Sequence, residues 1–199
     1  MENKAIIIID MLNDFVTGDL KCKRAECIIP NLKKLVEAAR KHNVPVIYSN
    51  DAHYLQDAEV VQKWGKHAIK GTKGAEVIPR LKPTAKDYIV EKRVYSGFYE
   101  TGLDPLLRSL YKGEGVKTLI LGGLHTHMCV RHTAADAFFR GYKIIIAKDG
   151  VEAFTQENHE QGLKYLKDVY NATIMAVNEI KRIQLSHQKK TTFAGKNKD

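Results

Sequence analysis

Residues 118–150 read TLILGGLHTHMCVRHTAADAFFRGYKIIIAKDG, and three parts of this stretch decide the fold. Thr118–Leu121 and Lys143–Ala147 are short, continuously apolar and rich in Ile and Leu, as expected of strands covered on both faces. Between them, Cys129–Arg140 spaces Thr133, Ala137 and Phe138 as one face of a helix, and Gly141 suits the left-handed cap that ends one. The alternation continues outward. Ala5–Ile9, Val44–Ser49, Tyr88–Val90 and Ala172–Ala176 read as further strands, and Ile28–His42 (Leu32, Leu35, Val36, Ala39) and His159–Tyr170 (Leu163, Leu166) as helices. Asn43 before Val44-Pro45, and Gly113 and Gly115 before Val116, supply turns. The expected fold class is α/β: one domain, residues 1–180, built on a mostly parallel sheet of about six strands with helices on both faces.

In open parallel sheets, ligands bind beyond the C-terminal strand ends. Asp10 closes the first strand, Asn50-Asp51 follows the second, Lys92 ends the third and Gly122–Cys129 follows the fourth. Four strand ends thus bring polar or reactive groups to one edge. A thiol at the start of a helix faces the positive end of the macrodipole, which predicts a lowered pKa for Cys129. A small core residue is the alternative for Cys129, a loop cap for Asp10 and a solvated side chain for Lys92; their coincidence is what points to chemistry. Asp51-Ala52-His53 and the later His67 offer a carboxylate and two imidazoles, a set suited to Zn²⁺, Mn²⁺ or Fe²⁺ with open positions. In a chain with eight histidines, an accidental Asp-x-His is the competing reading.

Composition bounds the remaining classes. Apolar residues at 44% and charged residues at 28% fit a globular domain, and no run approaches the roughly 20 apolar residues that span a bilayer. The N-terminal apolar run stops at Asp10, so no leader is expected, and a cytoplasmic location is. Three cysteines make no disulfide framework, and Cys22 and Cys27 read as incidental thiols. The net charge of +9 invites a nucleic-acid reading. However, six basic residues lie within 181–199 against the single acid Asp199, while elsewhere the charges interleave. Residues 181–199 therefore read as a basic, disordered tail, and neither nucleic acid nor membrane is an expected partner. GTKGAEVIPR lacks the phosphate-loop spacing and GGLHTH is not G-x-G-x-x-G, so no nucleotide cofactor is expected.

The stretches IIIIDMLNDF, EKRVYSGFYETGLD and GGLHTHMCVRHTAADAFFRGYKIIIAKDG resemble the isochorismatase-like family of cysteine hydrolases, from about Lys4 to about Ala176. The resemblance implies a triad of Asp10, Lys92 and Cys129, in which Asp10 acts as base and then acid and Lys92 supports the thiolate. It also implies a cis peptide between Leu124 and His125 and an oxyanion hole from the His125 and Cys129 backbone N–H groups. A small-molecule amide substrate and a homo-oligomer follow from the same likeness. Trp64, His67, Gly71, Thr72, Gly74 and Ala75 stand in a register that resembles the nicotinamidase branch. That branch implies a divalent metal on Asp51, His53 and His67, with Phe15, Trp64 and Tyr95 walling an aromatic ring and Glu59 as a further ligand or neighbour.

Leu12, Ala68 and His127 depart from that branch, and the loop from His53 to Trp64 lacks its usual proline. The departures leave room for an N-carbamoyl amide, as in N-carbamoylsarcosine amidase-like relatives. His125 and His127 read as satisfied loop histidines. A non-catalytic binding protein that kept the fold is the alternative from another class.

Overall fold

The computed structural model describes residues 2–185. Its six strands are β1 (Lys4–Ile9), β2 (Val46–Asp51), β3 (Tyr88–Lys92), β4 (Thr118–Leu124), β5 (Lys143–Glu152) and β6 (Thr173–Met175). All pair in parallel, in the order β3-β2-β1-β4-β5-β6. The helices are α1 (Asn13–Val16), α2 (Ile29–Lys41), α3 (Leu103–Ser109), α4 (Cys129–Phe139), α5 (Gln156–Tyr170) and α6 (Val177–Ile180). Strand order reverses between β1 and β4, and the crevice that opens at such a reversal is where this architecture binds ligands.

Period-two alternation splits each apolar run between two cores. Ile6 and Ile8 of β1 face a cluster with Leu32, Leu35 and Val36 of α2 and Ile180 of α6. Ala5, Ile7 and Ile9 face the other side, with Leu103 and Leu107 of α3, Val130, Ala134 and Ala137 of α4, and Leu166 of α5. This two-sided burial leaves β1, β2 and β4 with no exposed face. Turns fall where the sequence placed them, with Asn43 at φ 55° and Gly141 at φ 81°.

The observed strands run further at their C-terminal ends than their apolar cores do. β2 includes Asn50 and Asp51, β3 includes Glu91 and Lys92, and β5 continues to Glu152 past a register shift opposite Leu121 and Gly123. Asn50, Asp51, Lys92 and Glu152 are buried at these ends although polar, so hydrophobicity gives no signal there. At Gly123, φ is +112°, and a Cβ would lie 2.0 Å from the Ile9 carbonyl oxygen of the paired strand. Only glycine lets β4 approach β1 this closely.

Lys181–Leu185 continues α6 as a wider helical turn, and Leu185 is fully buried in the same core as Ile180. The ordered domain therefore extends past residue 180. The rest of the predicted tail, 186–199, lies outside the described residues. No helix among the described residues is long and apolar enough to cross a membrane.

Candidate active site

Asp10, Lys92 and Cys129, from the ends of β1 and β3 and the start of α4, meet at the crevice. Asp10 adopts φ 52°, a left-handed conformation that aspartate tolerates better than most residues. Its Oδ1 accepts a hydrogen bond from the Asp51 backbone N–H at 2.8 Å, and its Oδ2 lies 2.8 Å from Lys92 Nζ. This contact is an ion pair with both side chains fully buried. Lys92 Nζ also donates to Asp51 Oδ1. The Cys129 thiol and the Asp10 and Asp51 carboxylates lie within 4.8 Å of one another.

The charges sort unequally. Burial, and then the neighbouring Asp51 carboxylate, push Asp10 up to about 6 against the pull of Lys92. For Asp51, burial is outweighed by Lys92 and His53, which hold it at about 2. Lys92 is raised well above the ordinary lysine value, because the two carboxylates outweigh burial. Burial pushes the Cys129 thiol up, not down, with Lys92 opposing and Asp10 adding to the rise. The expectation of a low thiol pKa from the helix start is thereby corrected: the helix begins inside the protein, and desolvation dominates.

The peptide between Leu124 and His125 is cis. Thr126 N–H donates to the Glu152 carbonyl at 2.9 Å, while Met128 and Val130 donate to the His125 carbonyl at 2.9 and 3.3 Å. The His125 and Cys129 backbone N–H groups have no backbone acceptor among the described residues. The Thr126 hydroxyl meets His159 Nδ1 at 3.0 Å, which ties this loop to α5.

Beside the thiol, Asp51, His53 and His67 bring one ligand atom each to within 4.8 Å of one another. His67 Nδ1–H donates to the Gly65 carbonyl at 2.8 Å, which leaves Nε2 as a lone-pair donor. His53 Nδ1 lies 3.4 Å from Asp57 Oδ2, and its buried Nε2 has no hydrogen-bond partner. Each imidazole is thus oriented through one nitrogen with the other presented, the arrangement that metal-binding histidines use. An orphaned buried nitrogen beside a carboxylate fits a divalent cation. Glu59 faces the same cavity and is pushed up to about 7 by burial and by Asp51, yet it stands outside this ligand cluster.

Phe15, Trp64 and Tyr95 line the cavity over Cys129, joined by Leu20, Met128 and Phe154. Trp64 Nε1 donates to the Tyr95 hydroxyl at 3.0 Å, and the Trp64 ring stacks on Phe154 at 5.9 Å. The cavity is partly open, and its free space is about 10 Å³, room for one water. His125 does not satisfy itself in the loop: its ring is 2% exposed and its Nε2 has no partner, and His127 Nδ1 is likewise unpartnered.

Sequence reasoning missed several supporting residues. Asp14 Oδ2 accepts from Ala68 N–H at 2.8 Å and so fixes the loop that carries His67. Asp57 orients His53 while accepting from Arg93, and Phe154 carries the aromatic stack. The spacing of Asp57 four residues after His53 was the one visible signal.

A family model of the isochorismatase domain matches residues 4–179. The chain is 42% identical to a solved N-carbamoylsarcosine amidase from Thermoplasma acidophilum, covering 89% of this chain and 98% of that one at a TM-score of 0.82. It is 33% identical to the solved nicotinamidase/pyrazinamidase PncA from Bacillus subtilis, covering 86% and 98% at a TM-score of 0.80. It is 28% identical to a pyrazinamidase of Pyrococcus horikoshii solved in complex with zinc, covering 87% and 99% at a TM-score of 0.79. With the all-parallel sheet and the matched span, these likenesses make this chain a hydrolase of the isochorismatase family.

Proposed function

We propose that the protein hydrolyses a small primary amide through a Cys129 thioester and releases ammonia. The observation that carries this reading is the buried Cys129 thiol within 4.8 Å of the Asp10 carboxylate, which is paired with Lys92. A carboxyl group near 6 is a stronger base than an ordinary aspartate and is still mostly ionised at neutral pH. Asp10 takes the thiol proton as Sγ attacks the amide carbon, and the Lys92 ammonium compensates the charge on sulfur. The His125 and Cys129 N–H groups receive the developing oxyanion. Asp10 then returns the proton to the departing nitrogen, and water cleaves the thioester to regenerate the thiol.

Asp51, His53 and His67 would hold a divalent cation, which would supply Lewis-acid anchoring for a substrate heteroatom. Nicotinamide is the substrate that this metal set favours. An N-carbamoyl amide is the second reading, supported by the 42% identity to the Thermoplasma acidophilum amidase and by the polar His125 side chain in the pocket. In keeping with the family resemblance, we also propose that the chain forms a homo-oligomer.

The test is ammonia release from nicotinamide and from N-carbamoylglycine, before and after chelation, with Cys129→Ala as control. Release that needs Cys129 supports the amidase reading, and loss on chelation supports the metal set. No release from any primary amide, with Cys129 alkylated no faster than Cys22, would overturn it.

A further inference from the structure

Among the groups that line the pocket over Cys129, His125 sits against the apolar side formed with Phe15 and Phe154, and its Nε2 has no partner. Its imidazole is 2% exposed, and its Nε2 makes no hydrogen bond among the described residues. Buried polar atoms are nearly always paired, so an orphan that lines a binding cavity points to a ligand atom as the missing partner. The ring is held firmly: it stacks on Phe154 with centroids 4.1 Å apart and meets Phe15 edge-on at 5.7 Å. Phe154 is in turn stacked on Trp64. Burial, and then His127, hold the imidazole down at about 3, so it is neutral at physiological pH and suits a neutral hydrogen-bonding group better than a carboxylate.

We propose that His125 is a specificity-determining residue that hydrogen-bonds an N–H or O–H group on the atom next to the scissile carbonyl. The position follows from the chain. The backbone N–H of the same residue is assigned to the carbonyl oxygen, and the ring lines the same cavity as Cys129, so it faces the reacting end of the substrate. The inference rests on the amidase reading and names its substrate class: primary amides with a polar α atom, such as ureido or α-hydroxy compounds. A pocket built to pair a polar group rejects an analogue that lacks it, because the protein atom is then left unpaired.

The experiment compares isosteric pairs by kcat/KM for ammonia release. N-carbamoylglycine and succinamate differ only by N–H against CH₂, and lactamide and isobutyramide by OH against CH₃; nicotinamide is run beside them. The wild type is expected to prefer the polar member of at least one pair by about 10- to 100-fold. That ratio should collapse toward one in His125→Phe and recover in part in His125→Asn, which restores a neutral polar atom. The ratio is read within each variant, so a general loss of activity or stability does not move it. A wild type with no preference in either pair, or one that takes nicotinamide and neither polar amide, overturns the inference while the amidase reading stands. A ratio unchanged in both variants does the same. Failure on every amide, with Cys129 unreactive, removes the amidase reading itself.

Discussion

Replacing Gly123 with alanine tests how tightly the site depends on the approach of β4 to β1. Two costs can be separated. The first is conformational: at φ +112° an L side chain is strained, at about 1–2 kcal/mol. The second is steric, since the new Cβ would sit 2.0 Å from the Ile9 carbonyl oxygen and 2.8 Å from its carbon and nitrogen. That neighbour is backbone in the middle of a sheet and cannot swing aside, so overpacking adds about 1–3 kcal/mol or more. Gly141 is the control: its φ is +81°, and a Cβ there would meet nothing within 4 Å. For a chain of this size, each kcal/mol moves the melting temperature by about 2–4 °C. Gly141→Ala should then lose about 2–8 °C, and Gly123→Ala about 4–20 °C. Because Asp10 follows Ile9 directly, the shift should also slow alkylation of Cys129 by iodoacetamide in Gly123→Ala alone. Equal melting temperatures for the two variants, with equal labelling rates, would refute the reasoning.

Asp10→Asn should lower ammonia release by about 10²–10⁴-fold, the usual worth of a positioned proton carrier, with the melting temperature measured alongside. Metal analysis of purified protein should find a divalent ion that is lost in His53→Ala and retained in Cys129→Ala; equal content in both would argue against the Asp51–His53–His67 set. Trp64→Ala should widen the narrow cavity and speed iodoacetamide labelling of Cys129, which is 3% exposed in the intact protein. Asp87 accepts from Arg40 at 2.5 Å and from Thr84 N–H and Oγ1 at 2.7 and 2.9 Å, and these outweigh burial to hold its carboxyl below the unfolded value. A depressed carboxyl stabilises above its unfolded pKa of about 3.9 and loses that contribution as pH falls through the folded value. Asp87→Asn should therefore cost about 1–3 kcal/mol at pH 7 in urea unfolding, and the gap to wild type should narrow below pH ~4.

The elements were readable because two-sided burial makes each strand a plain apolar run, and because Asn43 and Gly141 mark the ends of helices. Strand ends were less readable, since Asp51, Lys92 and Glu152 are buried for reasons other than hydrophobicity. The residues at the crevice could be named because Asp10, Lys92 and Cys129 fall at strand or helix boundaries whose position in the fold is general. What could not be read was their electrostatics. The direction of the Cys129 pKa depends on how much protein covers the start of α4, and that is a property of three-dimensional packing. Asp14, Asp57 and Phe154 act on the site through side-chain contacts between loops, which no local pattern encodes.

β3 is an outer strand of the sheet, paired on one side only, and its Ile89 is 59% exposed. Strands in that position fray first, exchange their amide hydrogens soonest and invite pairing by another chain. Lys92 anchors this strand's C-terminal end through Asp51 on the neighbouring β2 and through Asp10 beyond it. The ammonium proposed to serve the thiol therefore also fastens the margin of the sheet. Its removal should show up as faster deuterium uptake across 88–92 and a greater tendency to self-associate, so solubility and turnover are tied to one side chain.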